Sequence, residues 1–253
     1  MSQHIDAERS HEDAWYRRVV DEGFFERPGF QQLQQSNLAA LRRKVPLQAG
    51  MRVLSIGCGS GEYEVALAHE VGEVVGLDLS PVAVDAATAR ARTAGVANVT
   101  FMVAAIGGDV DLGTAAFDVV IAFGVLHHLG DESRRQALAW LRRQLVAGGW
   151  LYVRDPNARG VLRRLAGARA RRDEFHSPNE QAIDPQALLG DVKAAGFTHP
   201  EVDYTDVLLG PLPWMLAGGP RVVWQAVALF DRAWVAMPLL GPLASQFAIV
   251  ARA

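Results

Sequence analysis

A single cysteine, Cys58, stands among 253 residues, which excludes an internal disulfide framework and any zinc site built from several cysteines. Excess charge is lacking too. The 25 basic and 28 acidic residues leave a formal charge of −3, the wrong balance for a protein whose main task is neutralising nucleic-acid phosphates. Lysine is nearly missing: Lys44 and Lys193 stand against a background of arginine, a bias read first as base composition of the gene. Residues 1–21 are polar and charged, without the apolar run of a signal peptide, and the single cysteine makes a reducing cytoplasm the expected compartment. The charge-free segment 233–250 holds Pro238, Gly241 and Pro242, and reads as a broken helix followed by a terminal strand, not a membrane span. What is present is apolar: 50% hydrophobic residues at this length predict one domain with a continuous core.

Between residues 51 and 153 short apolar runs alternate with amphipathic helical stretches. The runs at 52–56, 73–77, 99–103, 119–123 and 150–153 are rich in valine, isoleucine and leucine and barely alternate, as strands buried on both faces do. Ser80-Pro81 reads as an N-cap followed by proline at the first helical position, and Asp131-Glu132-Ser133 loads acid at another helix start. Gly95 and Gly148-Gly149 fall where those helices should stop. Strand and helix in repeated alternation predict a parallel sheet covered on both faces.

Two regions flank this core of 51–155. Residues 1–46 form an N-terminal cap of two expected helices, one carrying Trp15 and Tyr16, the other over 31–44. An arginine-rich stretch, 154–172, is expected as a solvated helix face able to meet an acidic group. A helix then opens at Asp184-Pro185 and ends at Gly196, and strands are expected at 201–208 and 246–251. Residues 156–183 and the apolar segment 210–245, with Trp214, Trp224 and Trp234, are expected as insertions on the substrate side.

The most informative segment is Val53-Leu54-Ser55-Ile56-Gly57-Cys58-Gly59-Ser60-Gly61-Glu62, an apolar strand running into three glycines at alternate positions. Glycine is needed where the chain turns sharply into a helix and where a ligand must approach the backbone. A dinucleotide fold wants its third glycine at position 62, which here is glutamate. Glu62 and Glu64 crowd the helix start and would repel a pyrophosphate, so a cationic ligand without phosphate fits better. Asp78, at the end of the next strand, can accept hydrogen bonds from two ribose hydroxyls. Its other reading, capping the following helix, is already filled by Ser80.

These two anchors, together with Phe117-Asp118-Val119-Val120-Ile121-Ala122-Phe123-Gly124-Val125-Leu126-His127-His128-Leu129 and Leu145-Val146-Ala147-Gly148-Gly149-Trp150-Leu151-Tyr152-Val153, resemble the class I S-adenosylmethionine-dependent methyltransferases. The resemblance covers about 51–155 and implies a Rossmann-like, doubly wound α/β fold of seven strands, six parallel and one antiparallel. It implies S-adenosylmethionine as cofactor. Gly57, Cys58, Gly59 and Gly61 would then line its methionine part, Asp78 its ribose, Leu79 its adenine and Phe123 the methyl-donor side. The acidic residue that often follows the third strand in that family is Ala105 here. Backbone groups of Ala105 and Ile106 would serve instead, or Asp109 if the loop is shifted.

Methyl transfer from a sulfonium is an in-line displacement, so alignment is the first requirement and a base the second. His127 and His128, just past the fourth strand, are the candidate bases, with packing or backbone hydrogen bonding as the plain alternative. Asp155, ending the fifth strand, can orient a histidine or the acceptor. A metal held by His127, His128, Asp155 and His176 is not expected, because adjacent side chains rarely point the same way. Cys58 is expected as a small buried residue.

Tyr16, His176 and Trp214 are the candidates for closing over the acceptor. An O-methylation of an apolar or lipid-like small molecule is the first expectation. Cyclisation or another group transfer on the same cofactor, and a cofactor-binding subunit without turnover, are the alternatives. The tryptophan-rich segment can line an acceptor pocket, lie on a membrane face or form a homodimer contact. Nucleic-acid substrates rank low, since no Asp/Asn-Pro-Pro-Tyr sequence follows the fourth strand.

Overall fold

Runs of valine, leucine and isoleucine build the strands, buried on both faces over 53–56, 74–78 and 119–122. The run 99–103, expected to be so too, is instead a half-exposed edge strand with Thr100 and Val103 open to solvent. In the computed structural model, which describes residues 2–108, 110–112, 116–162, 180–216 and 218–253, the strands are β1 (Arg52–Ile56), β2 (Glu73–Asp78), β3 (Val99–Val103), β4 (Phe117–Phe123) and β5 (Leu145–Pro156). With β6 (Thr198–Asp206) and β7 (Gln246–Arg252) they form one sheet in the order β3-β2-β1-β4-β5-β7-β6. β7 runs antiparallel to both its neighbours, and β1 to β5 pair in parallel. The chain order reverses between β1 and β4. A crevice outside the carboxyl ends of two such strands is the usual ligand position in an open α/β sheet.

One face of the sheet packs Leu54, Ile56, Leu151 and Val153 against α5 (Asp131–Gln144) and α6 (Pro185–Ala194) through Leu138, Leu141, Leu188 and Val192. The other packs Val53, Val119, Ile121 and Tyr152 against α2 (Pro28–Lys44) and α3 (Glu62–Leu67) through Leu38, Leu41 and Leu67. A third cluster lies outside both. Val19 of α1 (Ser2–Asp21) and Phe24, Phe30 and Leu33 meet Leu209, Trp224 and Ala228 there. α4 (Pro81–Ala94) starts as expected: the Ser80 hydroxyl accepts from the Ala83 N–H at 3.1 Å, and Gly95 ends the helix at φ 68°.

Boundaries moved where tertiary contacts outweighed local signals. β5 begins at Leu145, ahead of Gly148-Gly149, because the chain turns extended directly after α5; the extra residues are absorbed by a register shift opposite Phe117 and Val119. β6 ends two residues before the expected limit. The Asp231 carboxylate takes the N–H groups of Leu208 (3.0 Å) and Leu209 (2.8 Å), which draws them out of the ladder. Residues 210–245 hold α7 (Leu212–Met215), α8 (Arg221–Val235) and a 3₁₀ turn at Gly241–Leu243. No described helix is long and apolar enough to cross a membrane.

Candidate active site

The turn from β1 into α3 is tight enough to demand glycine. Gly57 and Gly59 adopt φ of 63° and 54°, a region that side chains rarely enter. A Cβ on Gly57 would strike Val125, and one on Gly59 would stand 2.5 Å from the Tyr16 hydroxyl oxygen. Gly61 caps α3 at φ 80°. Cys58 is buried between them, and burial pushes its thiol pKa well up, so it is inert.

Asp78 closes the turn from the side. It is 7% exposed; one carboxylate oxygen accepts from the Gly59 N–H at 2.9 Å, the other from the Ser80 N–H at 2.9 Å. Burial raises its pKa and these N–H groups oppose the shift. The two acids at the start of α3 do not act as the sequence suggested. Glu64 is buried against the Ser55 hydroxyl, and burial lifts its carboxyl to about 8, so it is mostly neutral at pH 7. Glu62 accepts from the Ser60 hydroxyl at 2.7 Å and pairs with Arg90 at 2.6 Å. The repulsion expected of both is cancelled locally; what distinguishes the turn is the missing third glycine.

α1 lies across this edge of the sheet. Glu8, Glu12 and Tyr16 are spaced four apart, as are Arg9 and Asp13, so the two rows lie side by side on one face. Arg9 donates to the Leu79 carbonyl at 3.2 Å, Asp13 bonds the Ser80 hydroxyl, and Glu8 meets His128 Nδ1 at 2.9 Å. Trp15 turns the other way, edge-on to Tyr16 and 5.8 Å from Trp214, which itself packs on Phe24 and Phe30 at 5.3 and 4.7 Å. Tyr16 therefore faces the glycine turn while Trp15 staples the helix.

Burial pushes the Glu12 carboxyl up to about 7; His128 opposes that shift, and Asp78, Glu8 and Glu180 add to it. At His128 burial lowers the pKa, but the Glu8 hydrogen bond and the charges of Glu180 and Glu12 raise it overall. Both groups hold protons more tightly in the folded protein. The Glu12 contribution to stability is complete at acid pH, falls as pH rises above 4.5 and is lost through about 7, and that of His128 is lost as pH rises above 6.5. Amide exchange in α1, corrected for intrinsic base catalysis, is therefore expected to be faster at pH 8 than at pH 5, and Glu12→Gln to flatten much of the difference. Equal corrected rates at both pH values would remove the assignment.

The histidines sit on a 3₁₀ turn, Leu126–His128, directly after β4. His127 Nδ1 lies 2.9 Å from Asp155 Oδ1, and the His127 backbone N–H donates to the same oxygen at 3.1 Å. Asp155 is wholly buried, and its Oδ2 has no hydrogen-bond partner among the described residues. A carboxylate at Nδ1 fixes the proton there and leaves the Nε2 lone pair outward. The two imidazoles do not point apart as expected. Their rings are 4.2 Å apart, and both Nε2 atoms face Glu180, at 4.0 and 3.7 Å. The potential ligand atoms of His127, His128 and Glu180 lie within 4.8 Å of one another, as do those of Glu8, Glu12 and His128. Adjacency in sequence therefore does not hold the two histidines' ligand atoms apart, contrary to expectation.

Phe123 stacks on Tyr63, ring centroids 4.4 Å apart. Ala105 and Ile106 follow β3, where the Ala104 N–H donates to the Asp78 carbonyl at 2.8 Å. Arg154 departs from the expected solvated basic stretch: it is buried and ion-paired with Asp206. His176, Asp109 and residues 163–172 of that stretch lie outside the described residues. Glu8, Glu12, Glu180 and Tyr63 were missed from sequence.

Residues 53–149 match the family model described as a methyltransferase domain. Over that segment the chain is similar to the methyltransferase domains of the class I S-adenosylmethionine-dependent family. Among its relatives, the ubiquinone biosynthesis O-methyltransferase of Paracidovorax citrulli is 32% identical over 49% of this chain and 51% of its own. The 27-O-demethylrifamycin SV methyltransferase of Amycolatopsis mediterranei is 38% identical over 44% of this chain and 43% of its own. The matched region thus spans about half the length of these relatives. In fold, the chain solved in complex with the Trm112 methyltransferase activator of Haloferax volcanii superposes with a TM-score of 0.65 at 21% identity, covering 96% of this chain and 97% of that one. The methyltransferase cofactor fits the residues present at Asp78, whose oxygens retain lone pairs beyond their two N–H bonds.

Proposed function

We propose that the protein transfers a methyl group from S-adenosylmethionine to an oxygen of a small apolar or lipid-like acceptor, with His127 as general base. The observation that carries this reading is the His127–Asp155 pair beside the glycine turn. Asp78 takes the ribose hydroxyls, Gly57, Cys58, Gly59 and Gly61 the methionine portion, and Leu79, Ala105 and Ile106 the adenine. The bound cofactor supplies a methyl on a positively charged sulfur, open to in-line attack.

The chain's own residues then do three things. Tyr16 and the face of α1 around it cover the turn and exclude water. Tyr63 fixes the ring of Phe123 on the donor side by stacking. His127, its Nδ1 proton held by Asp155, receives the acceptor's proton at Nε2. Positioning of this kind supplies about 7–11 kcal/mol of barrier lowering. His128, tied to Glu8, anchors the lid. Support for an oxygen acceptor comes from the two relatives, one named as an O-methyltransferase and the other for a 27-O-demethyl substrate. Support for an apolar one comes from the aromatic cluster of Trp15, Phe24, Phe30 and Trp214 behind the lid.

Incubation of the purified chain with S-adenosylmethionine and a panel of phenols, hydroxylated amphiphiles and amines tests it. S-adenosylhomocysteine release with an O-methylated product is expected. N-methylated products alone would overturn the oxygen assignment. A rearranged acceptor with the methyl still on sulfur would overturn methyl transfer itself.

A further inference from the structure

The outer surface of α8 is apolar where a helix on a soluble protein is ordinarily polar. Its inner side is fully engaged: Trp224 and Ala228 belong to the third core cluster, and Asp231 holds the Leu208 and Leu209 N–H groups. Its outer side exposes Val222, Val223, Leu229 and Phe230. At about 100° per residue, these and Ala226 and Ala233 fill a sector of about 120°. The turns at either end extend it. Met215 is 76% exposed, Leu239 is 88% exposed, and Met237 and Leu216 lie beside them. The Trp234 ring N–H donates to the Leu240 carbonyl at 2.9 Å, which fixes the turn carrying Met237 and Leu239.

Charge on this surface has one sign. Between residues 207 and 245 the one acidic residue, Asp231, is buried, whereas both basic residues, Arg221 and Arg232, are exposed. Eleven residues apart, they fall about 20° apart on the helix, about 60–80° beyond the Leu229 edge of the apolar sector with Gln225 between. A second copy of this face in a twofold contact would bring arginines together with no exposed acid from the segment to meet them. An apolar sector with arginines to one side suits a plane of phosphate headgroups over acyl chains, as in helices that lie in a membrane interface.

We propose that α8 and its flanking turns, Met215–Leu216 and Met237–Leu239, are a docking face for an anionic phospholipid surface. The face is continuous with the lid through Trp214, which packs on Trp15, Phe24 and Phe30. Docking here sets the aromatic cluster beside α1 near the bilayer.

The test is flotation of the full chain with vesicles of phosphatidylglycerol and phosphatidylcholine, against phosphatidylcholine alone. Each basic group at an anionic surface is worth about fivefold, so the two arginines predict about thirtyfold preference for the anionic vesicles. Arg221→Gln with Arg232→Gln should erase the preference, and Leu229→Glu with Phe230→Glu should abolish binding. All four side chains are exposed, so unchanged circular dichroism and melting are expected to accompany the loss. No vesicle binding, or equal binding to both vesicle types, would overturn the proposal. So would a concentration-dependent dimer in sedimentation equilibrium that the Leu229→Glu, Phe230→Glu variant dissociates, which assigns the face to a second copy. Because the readout is binding, the outcome is independent of whether the acceptor carries oxygen.

Discussion

Asp155→Asn is expected to lower kcat by about 10²–10⁴-fold and leave cofactor affinity within about twofold. The carboxylate accepts from His127 Nδ1 and from the His127 backbone N–H through one oxygen. An amide in its place loses the charge that stabilises an imidazolium, and it can present N–H where the histidine needs an acceptor. The proton then moves to Nε2, and the base faces the acceptor with no lone pair. His127→Ala should cost as much, and the double variant little more than either single one, because the two residues act as a unit. His128→Ala predicts a different pattern. It removes the Glu8–His128 contact and loosens α1, so the KM for cofactor should rise more than kcat falls. Single-turnover rates and calorimetric cofactor binding separate these cases. A His127→Ala enzyme with unchanged kcat would remove the base assignment. The Asp155→Asn change also buries an amide nitrogen where the Asp155 Oδ2 has no described partner, so a stability loss of about 1–3 kcal/mol should accompany the kinetic one.

What the sequence made legible follows from how local its causes are. β1, β2 and β4 are buried on both faces, so unbroken apolar runs mark them. The positive φ of Gly57, Gly59 and Gly61 leaves a glycine signature, and the Ser80 cap is written in two adjacent residues. Residues that act across the fold leave no such mark. Glu8 and Glu12 share a helical face that spacing reveals, but the surface under that face belongs to tertiary packing. Glu180 arrives because the Gln181 N–H donates to the His127 carbonyl at 2.9 Å, a contact no periodicity announces. The convergence of His127 and His128 was likewise hidden. Each Nδ1 is drawn to a different carboxylate, Asp155 and Glu8, which leaves both Nε2 atoms facing Glu180.

Arg154 was hidden for a related reason, and it sets the largest expected loss of stability. In sequence it opens a run of arginines. In the sheet it stands opposite Ala248 of β7, whose other neighbour is Asp203, and an alanine there leaves room for the guanidinium to reach Thr205 and Asp206 of β6. Asp206→Ala strips the buried guanidinium of its counter-charge and should cost about 3–5 kcal/mol. For a domain of this size that lowers Tm by about 6–20 °C. Replacing both partners by apolar residues, Arg154→Met with Asp206→Leu, removes the desolvated charge with its partner, and stability should return to near wild type or exceed it. A thermal melt of the three proteins gives the order: double variant at or above wild type, Asp206→Ala far below. The reverse order would mean that the pair is solvated in solution. Activity in the double variant carries a second answer. Arg154 directly precedes Asp155, so if the pair only anchors the end of β5, turnover recovers together with Tm. A double variant that melts normally but stays inactive would instead give Arg154 a direct part in holding an anionic group of the acceptor.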